Sequence, residues 1–303
     1  MVTHQDRFLE ENLMTDFTDF ERHGFLGVES LQLSQHISAT YGPYLSLFRR
    51  LNQVAWSFQY EMNIPKPEND ITGAWCAILY ARVLNFTQAS YMLSLNGLRV
   101  QAETQLRCAL EPLFKLGALK NDPKFMIEYE LAERKDQLKQ GRSILEYLKR
   151  QKPRDNARIK SMEVECQAKK EELILGLKNH RPQLFEKNDD KTAIEKFSVP
   201  ASLSAEKAGL LDWYDLLYRM GSASIHSDAK SLESGHFLIG DDHEVEFIKN
   251  EPELEDLDEF VNTLCTVLLN AVEFVGAALG EEIPSGQLDA IKEDLMKLSE
   301  LKN

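Results

Sequence analysis

The sequence predicts an all-α protein: a helical core, a charged helical hairpin projecting from it, and one short β-hairpin as the candidate exception. Three observations carry this. Apolar residues recur mainly at three- and four-residue spacings, which places them on one face of an α-helix. Two charged stretches with sparse apolar positions, 123–150 and 155–180, flank the turn signal "RQKPRDN". Apolar–polar alternation stands out only in "HFLIGDDHEVEFIKN" at 236–250, around Asp241-Asp242.

Taken in order, residues 1–60 predict two helices, the second broken or kinked near Gly42-Pro43, where the ring blocks a regular turn. The two prolines of "NIPKPENDITG" at 63–73 make a loop. A long helix then runs from Thr72 to Asn96, and after Asn96-Gly97 a second covers 98–119. So short a connection makes them antiparallel neighbours. The charged hairpin follows at about 123–180, and 181–203, with Pro182 and Pro200, reads as an irregular loop. A helix starting near Ser202 or Ser204 carries "EKAGLLDWYDLLYRM". Another spans 253–279 and stops at Gly280, and an amphipathic helix follows Pro284-Ser285. Three regions result: N-terminal helices packed on the core (1–70), the helical core with its basic hairpin (71–280), and a C-terminal helix (281–303).

With 303 residues, 43% of them hydrophobic, the chain can bury a large core. Its formal charge of −14 repels nucleic acid and anionic lipid on average, so a polyanion would need a local basic patch. One exists. Between Arg134 and Lys160 there are ten basic residues against three acidic ones, a balance of +7 that leaves about −21 for the remainder. Cys76, Cys108, Cys166 and Cys265 are widely separated and form no C-x-x-C pair, which argues against a zinc ribbon or a disulfide framework. The start "MVTHQDRFLEEN" lacks the basic and apolar regions of a secretory signal. The most apolar windows, 71–98 and 261–279, carry Arg82, Asn85 and Gln88, and Asn262, Asn270 and Glu273, and read as buried helices rather than membrane spans. A cytoplasmic protein without membrane association is the expectation.

Chemistry is concentrated in "YDLLYRMGSASIHSD" at 214–228. Arg219 and His226 are seven residues apart, so on a continuing helix they share nearly one face with Cα atoms ~10 Å apart. An Arg fork clamps phosphate oxygens and stays charged, while His exchanges a proton near neutrality. That pair suffices for metal-independent RNA cleavage, and Gly221, Ser222, Ala223 and Ser224 leave room beside it for a ligand or a second chain. A structural role is the alternative: Arg219 buried against Glu103 or Glu111, with His226 capping the helix.

The pair fits the R-x4-6-H pattern, here R-x6-H, and so resembles the HEPN superfamily of all-helical proteins, many of them metal-independent ribonucleases. More closely, about 75–240 looks like a bacterial helical family of unassigned function related to that superfamily. The stretches that carry the likeness are "LRCALEPLFKLGALKNDP" at 106–123 and "LLYRMGSASIHSD" at 216–228. The resemblance implies an HEPN-like bundle and a homodimer with a composite site. Arg219 and His226 would be catalytic there, supported by Tyr218, Ser222, Ser224, Glu111 and Arg107. It also implies a toxin or phage-defence effector, with an antitoxin or regulatory protein as a further partner. The sequence departs from the pattern at Met220, where active members often carry Asn, Asp or His, a loss that bears on catalysis and leaves phosphate binding in place.

Arg99, Glu103, Arg107 and Glu111 step by four along one helix face, a structural ladder with Glu103 or Glu111 oriented toward Arg219. His226, Asp228, His236, Asp241, Asp242 and His243 supply suitable ligand chemistry but match no metal-binding spacing, so neither metal nor cofactor is expected. The basic hairpin is either a solvated charged face or a docking surface for RNA. Its candidate contacts are Arg142, Lys149, Arg150, Lys152, Arg154 and Arg158. With Tyr147 as the lone interleaved aromatic, backbone contact is favoured over base stacking.

Overall fold

The computed structural model describes residues 23–152, 154–219, 237–239, 245–248, 252 and 254–300. The architecture is all-α. A 3-10 turn at Gly24–Leu26 leads into α1 (Glu29–Thr40) and α2 (Gly42–Glu61), separated at Tyr41. The break expected near Gly42-Pro43 thus falls at Tyr41, and Pro43 sits in the first turn of the new helix, where its missing N–H is no loss. Helix α3 (Ile71–Ser94) starts under Asp70, whose carboxylate accepts from the Gly73 N–H at 2.9 Å. Gly73 is needed there, since a Cβ would lie 2.4 Å from that carboxylate. Gly97, at φ +69°, turns the chain into α4 (Arg99–Asn121), which lies along α3. Pro112 is inside α4 and cannot offer an N–H to the Cys108 carbonyl, yet the helix continues, its buried face running from Leu106 to Leu119.

The charged hairpin is α5 (Phe125–Arg150) and α6 (Asn156–His180), with Asp155 capping α6 through the Arg158 N–H. Its seam is narrow: Leu131 and Leu138, seven residues apart on α5, cluster with Cys166, Leu173 and Leu177 on α6, and Leu145, seven further on, is also buried. Residues 181–203 are more regular than the prolines imply. A 3-10 turn at Pro182–Leu184 precedes α7 (Asp190–Lys196), whose first turn is fixed by Asp189 accepting from the Thr192 N–H at 2.8 Å. Ile194 and Phe197 then close the hairpin's small core. Helix α8 (Ala201–Ala208) starts directly after Pro200 and packs against α4. Gly117 makes this approach possible, since a Cβ there would meet Ala208 and Phe274 at 2.7 Å.

After α9 (Leu211–Trp213) and the segment described below, two short strands, β1 (Phe237–Ile239) and β2 (Val245–Ile248), pair antiparallel with Phe237 opposite Ile248. Helix α10 (Leu257–Leu279) is the centre of the main core, packed on α2, α3 and α4. It is long and apolar enough to cross a membrane, but 67% of its apolar window is buried within the bundle, as befits a core helix. Its entry is held by Arg99, which donates to the Glu255 and Asp256 carbonyls at 3.5 and 3.3 Å and lies 4.2 Å above the Phe260 ring. Helix α11 (Ser285–Glu300) covers α2, tied by Arg50 to Asp294 at 2.7 Å.

Candidate functional site

The helix begun by α9 widens into a π turn at Tyr214–Tyr218 before Arg219. Such turns concentrate at functional sites because one extra residue re-aims the side chains around it. Here the turn stacks Tyr214 on Tyr218, centroids 5.2 Å apart, and both rings lean on Phe114 of α4. Arg107, two turns before Phe114 on the same helix, sits 4.4 Å from the Tyr218 ring centroid and donates from Nη2 to the phenol oxygen at 2.9 Å. Because that oxygen accepts from Arg107, its own proton is left to be donated elsewhere. Burial, helped by the Glu111 carboxylate, pushes the Tyr218 phenol up; Arg107 opposes this only in part, and the hydroxyl stays protonated near neutrality.

Arg219 is outside this buried layer. Its side chain is 68% exposed, and its one ion-pair partner among the described residues is Asp215, four residues back, at 3.5 Å. A pair so long and so exposed holds a guanidinium weakly. The expected clasp by Glu103 or Glu111 is not made. Glu103 bonds Arg99 at 2.7 Å, and Glu111 makes no ion pair among the described residues. The reason is physical: a guanidinium that remains in water needs no carboxylate to offset desolvation. The ladder on α4 likewise divides, with Arg99 and Glu103 pairing while Arg107 turns to Tyr218. His226, Ser222 and Ser224 lie outside the described residues, as do Met220, Asp228, His236, Asp241, Asp242 and His243. Among the described residues no cluster could hold a metal ion.

The six basic residues of the hairpin have different surroundings. Lys149 bonds Glu163 at 3.0 Å and approaches Glu146. Arg150 and Arg154 turn Nε back onto the Glu146 and Lys149 carbonyls. Lys152 and Arg158 are exposed near the α5–α6 turn, and Arg142 lines a groove between α5 and α7. No hydrogen bond or ion pair among the described residues joins any of them to the Arg219 segment. Sequence reading missed Asp215, Tyr214 and Phe114. The first two were visible as four-residue spacings within "YDLLYR", whereas Phe114 is an ordinary core position by pattern.

This segment and the helices that frame it fall within a stretch, residues 73–245, that matches a family of unknown function (DUF5677). More than half of the chain is matched. The chain belongs to that family. No curated protein and no solved structure matches it. The DUF5677 region runs from the first turn of α3 to the start of β2, so it holds the Arg107–Tyr218 layer, Arg219 and the whole charged hairpin, and leaves out α10.

Proposed function

We propose that the protein is a metal-independent endoribonuclease of the HEPN type, acting in the cytoplasm as a homodimer. The observation that carries this is the state of Arg219: an exposed guanidinium with one weak neighbour, set beside a layer that fixes its helix. Arg219 holds the non-bridging oxygens of the scissile phosphate. His226 takes the proton of the adjacent 2′-hydroxyl, whose oxygen attacks phosphorus. The phosphorus–5′-oxygen bond breaks, and the leaving oxygen takes a proton from the imidazolium of the partner subunit or from water. The products are a 2′,3′-cyclic phosphate and a free 5′-hydroxyl. Tyr218, polarised by Arg107, and Ser222 or Ser224 donate hydrogen bonds to the phosphate, and Glu111 adds to the burial that raises the Tyr218 phenol above its ordinary range. The basic hairpin draws the strand in. Toxin or phage-defence activity, restrained by an antitoxin or regulatory protein, is the role this chemistry suits.

Incubating the purified protein with mixed RNA in EDTA tests this, alongside Arg219→Ala and His226→Ala. Cyclic ends from the parent, lost in both folded variants, are the expected result; an inert parent under every condition removes the nuclease.

A second reading has its own support. Leu211 and Leu216, on the same segment as Arg219, are 44% and 63% exposed, an apolar offering suited to a non-catalytic dimerisation or interaction module. Mass in solution taken together with the cleavage assay separates the two readings: a dimer that Leu216→Glu dissociates, with no cleavage by the parent, favours the module.

A further inference from the structure

A groove of about 430 Å³ runs along one face of α5, closed on the other side by α7. Lys135, Lys139, Arg142 and Arg150 line it, against Glu146 and Glu195, and Leu138 and Ile194 form its floor. Lys139 to Arg150 covers ~16 Å of helix axis, at 1.5 Å per residue.

The four cations are not equivalent. Lys135 donates to the Glu195 and Phe197 carbonyls and so satisfies the open end of α7. Arg150 returns its Nε to the Glu146 carbonyl. The side chains of Lys139 and Arg142 make no hydrogen bond or ion pair among the described residues, although the chain carries 49 carboxylates. Burial pulls the Lys135 ammonium below its ordinary range; of the charges around it, Asp136 opposes this more than Lys139 adds to it, and Glu195 opposes it too. Two exposed cations that make no ion pair among the described residues, in a groove lined by four cations and two carboxylates, can take an anionic ligand without first breaking a pair.

We infer that this groove seats a single RNA strand, with Lys139 and Arg142 on successive backbone phosphates. A nucleobase rests on Leu138 and on the aliphatic stems of the cations. Glu146 and Glu195 are the acceptors for an exocyclic amine of that base. The assignment rests on the hairpin being the RNA-docking face and needs no cleavage. It moves the contact from the exposed turn of the hairpin, where charge alone would place it, to its α7 side.

The test is fluorescence anisotropy of the full chain with a labelled 2′-O-methyl RNA oligonucleotide of mixed sequence, which lacks the nucleophile and cannot be cut. Two double variants of equal charge are compared, Lys139→Gln with Arg142→Gln, and Lys152→Gln with Arg158→Gln. The groove pair is expected to weaken binding about tenfold and to reduce the slope of log K against log salt by about 1.4, two single-strand contacts' worth. The turn pair is expected to change affinity by no more than about twofold. Both groove side chains are exposed, so an unchanged melting temperature accompanies the expected loss. Equal losses in the two variants, or none, overturn the assignment. Displacement of the strand by adenosine 5′-monophosphate at the strand's own affinity also overturns it, in favour of a free nucleotide. Binding that behaves as expected in a protein that never cleaves RNA leaves this site standing and removes only the nuclease.

Discussion

Helices α10 and α5 are of similar length, 23 and 26 residues, yet α10 buries fourteen residues and α5 six. The first is enclosed on three sides by α2, α3 and α4, so nearly every turn contributes to the core. The second touches its partner through a seven-residue repeat and leaves the rest of its circumference to charge. The difference shows how the two parts can be specialised. Burial around α10 supplies stability with little polar surface to spare, whereas the hairpin needs only a thin apolar seam and can present cations that a core would exclude.

The comparison is most severely tested by removing methylenes from each side. Leu268→Ala, at a site with no exposure, is expected to cost about 2–5 kcal/mol of global stability in urea unfolding. Leu173→Ala, equally buried in the hairpin, is expected to fall at or below the low end of that range and to appear first as faster amide exchange across 131–177. Equal global losses with uniform exchange would make hairpin and bundle one cooperative unit.

A smaller effect is expected at the aromatic layer. Tyr218→Phe keeps the ring beneath Arg107 and removes the phenol oxygen that accepts its N–H, for a loss of about 1 kcal/mol, visible in the same unfolding experiment. Arg219→Ala should change stability by no more than about 0.5 kcal/mol, because the side chain is mostly in water. A large drop there would restore the structural role for this residue.

The mildest test is chemical. Burial pushes the Cys76 and Cys265 thiols up to about 12, with Asp70 adding to the effect at Cys76. The folded state thus holds both protons more tightly than the unfolded chain, whose thiols titrate near 9. The sign follows: stability is unaffected below pH 9 and falls as pH rises from 9 toward 12. At pH 8 iodoacetamide should label the half-buried Cys108 first, and mass spectrometry of peptides would report the order.

Much of this was legible in the sequence. The hairpin, the α3–α4 pair and the stop of α10 at Gly280 follow from periodicity and turn residues, because helices are local objects. Helix α7 was hidden by the prolines on either side of it, though its Asp189 cap was readable; its reason to exist is tertiary, to close the seam with Ile194. Pro112 inside α4 also defies local rules, carried by the buried residues around it. At the candidate site the residue types were readable and their partners were not. Whether Arg219 meets Glu103, Glu111 or Asp215 depends on how far its helix is rotated, and a π turn sets that rotation without any sequence signature of its own.

That turn has a geometric corollary. Five residues do the work of four, so Arg219 is set back about the axis by roughly 100° relative to an uninterrupted α-helix of the same sequence. Were the same five residues wound at ordinary α pitch, with none removed, the guanidinium would swing roughly a quarter-turn away from where it stands, so the wide turn is what aims this cation.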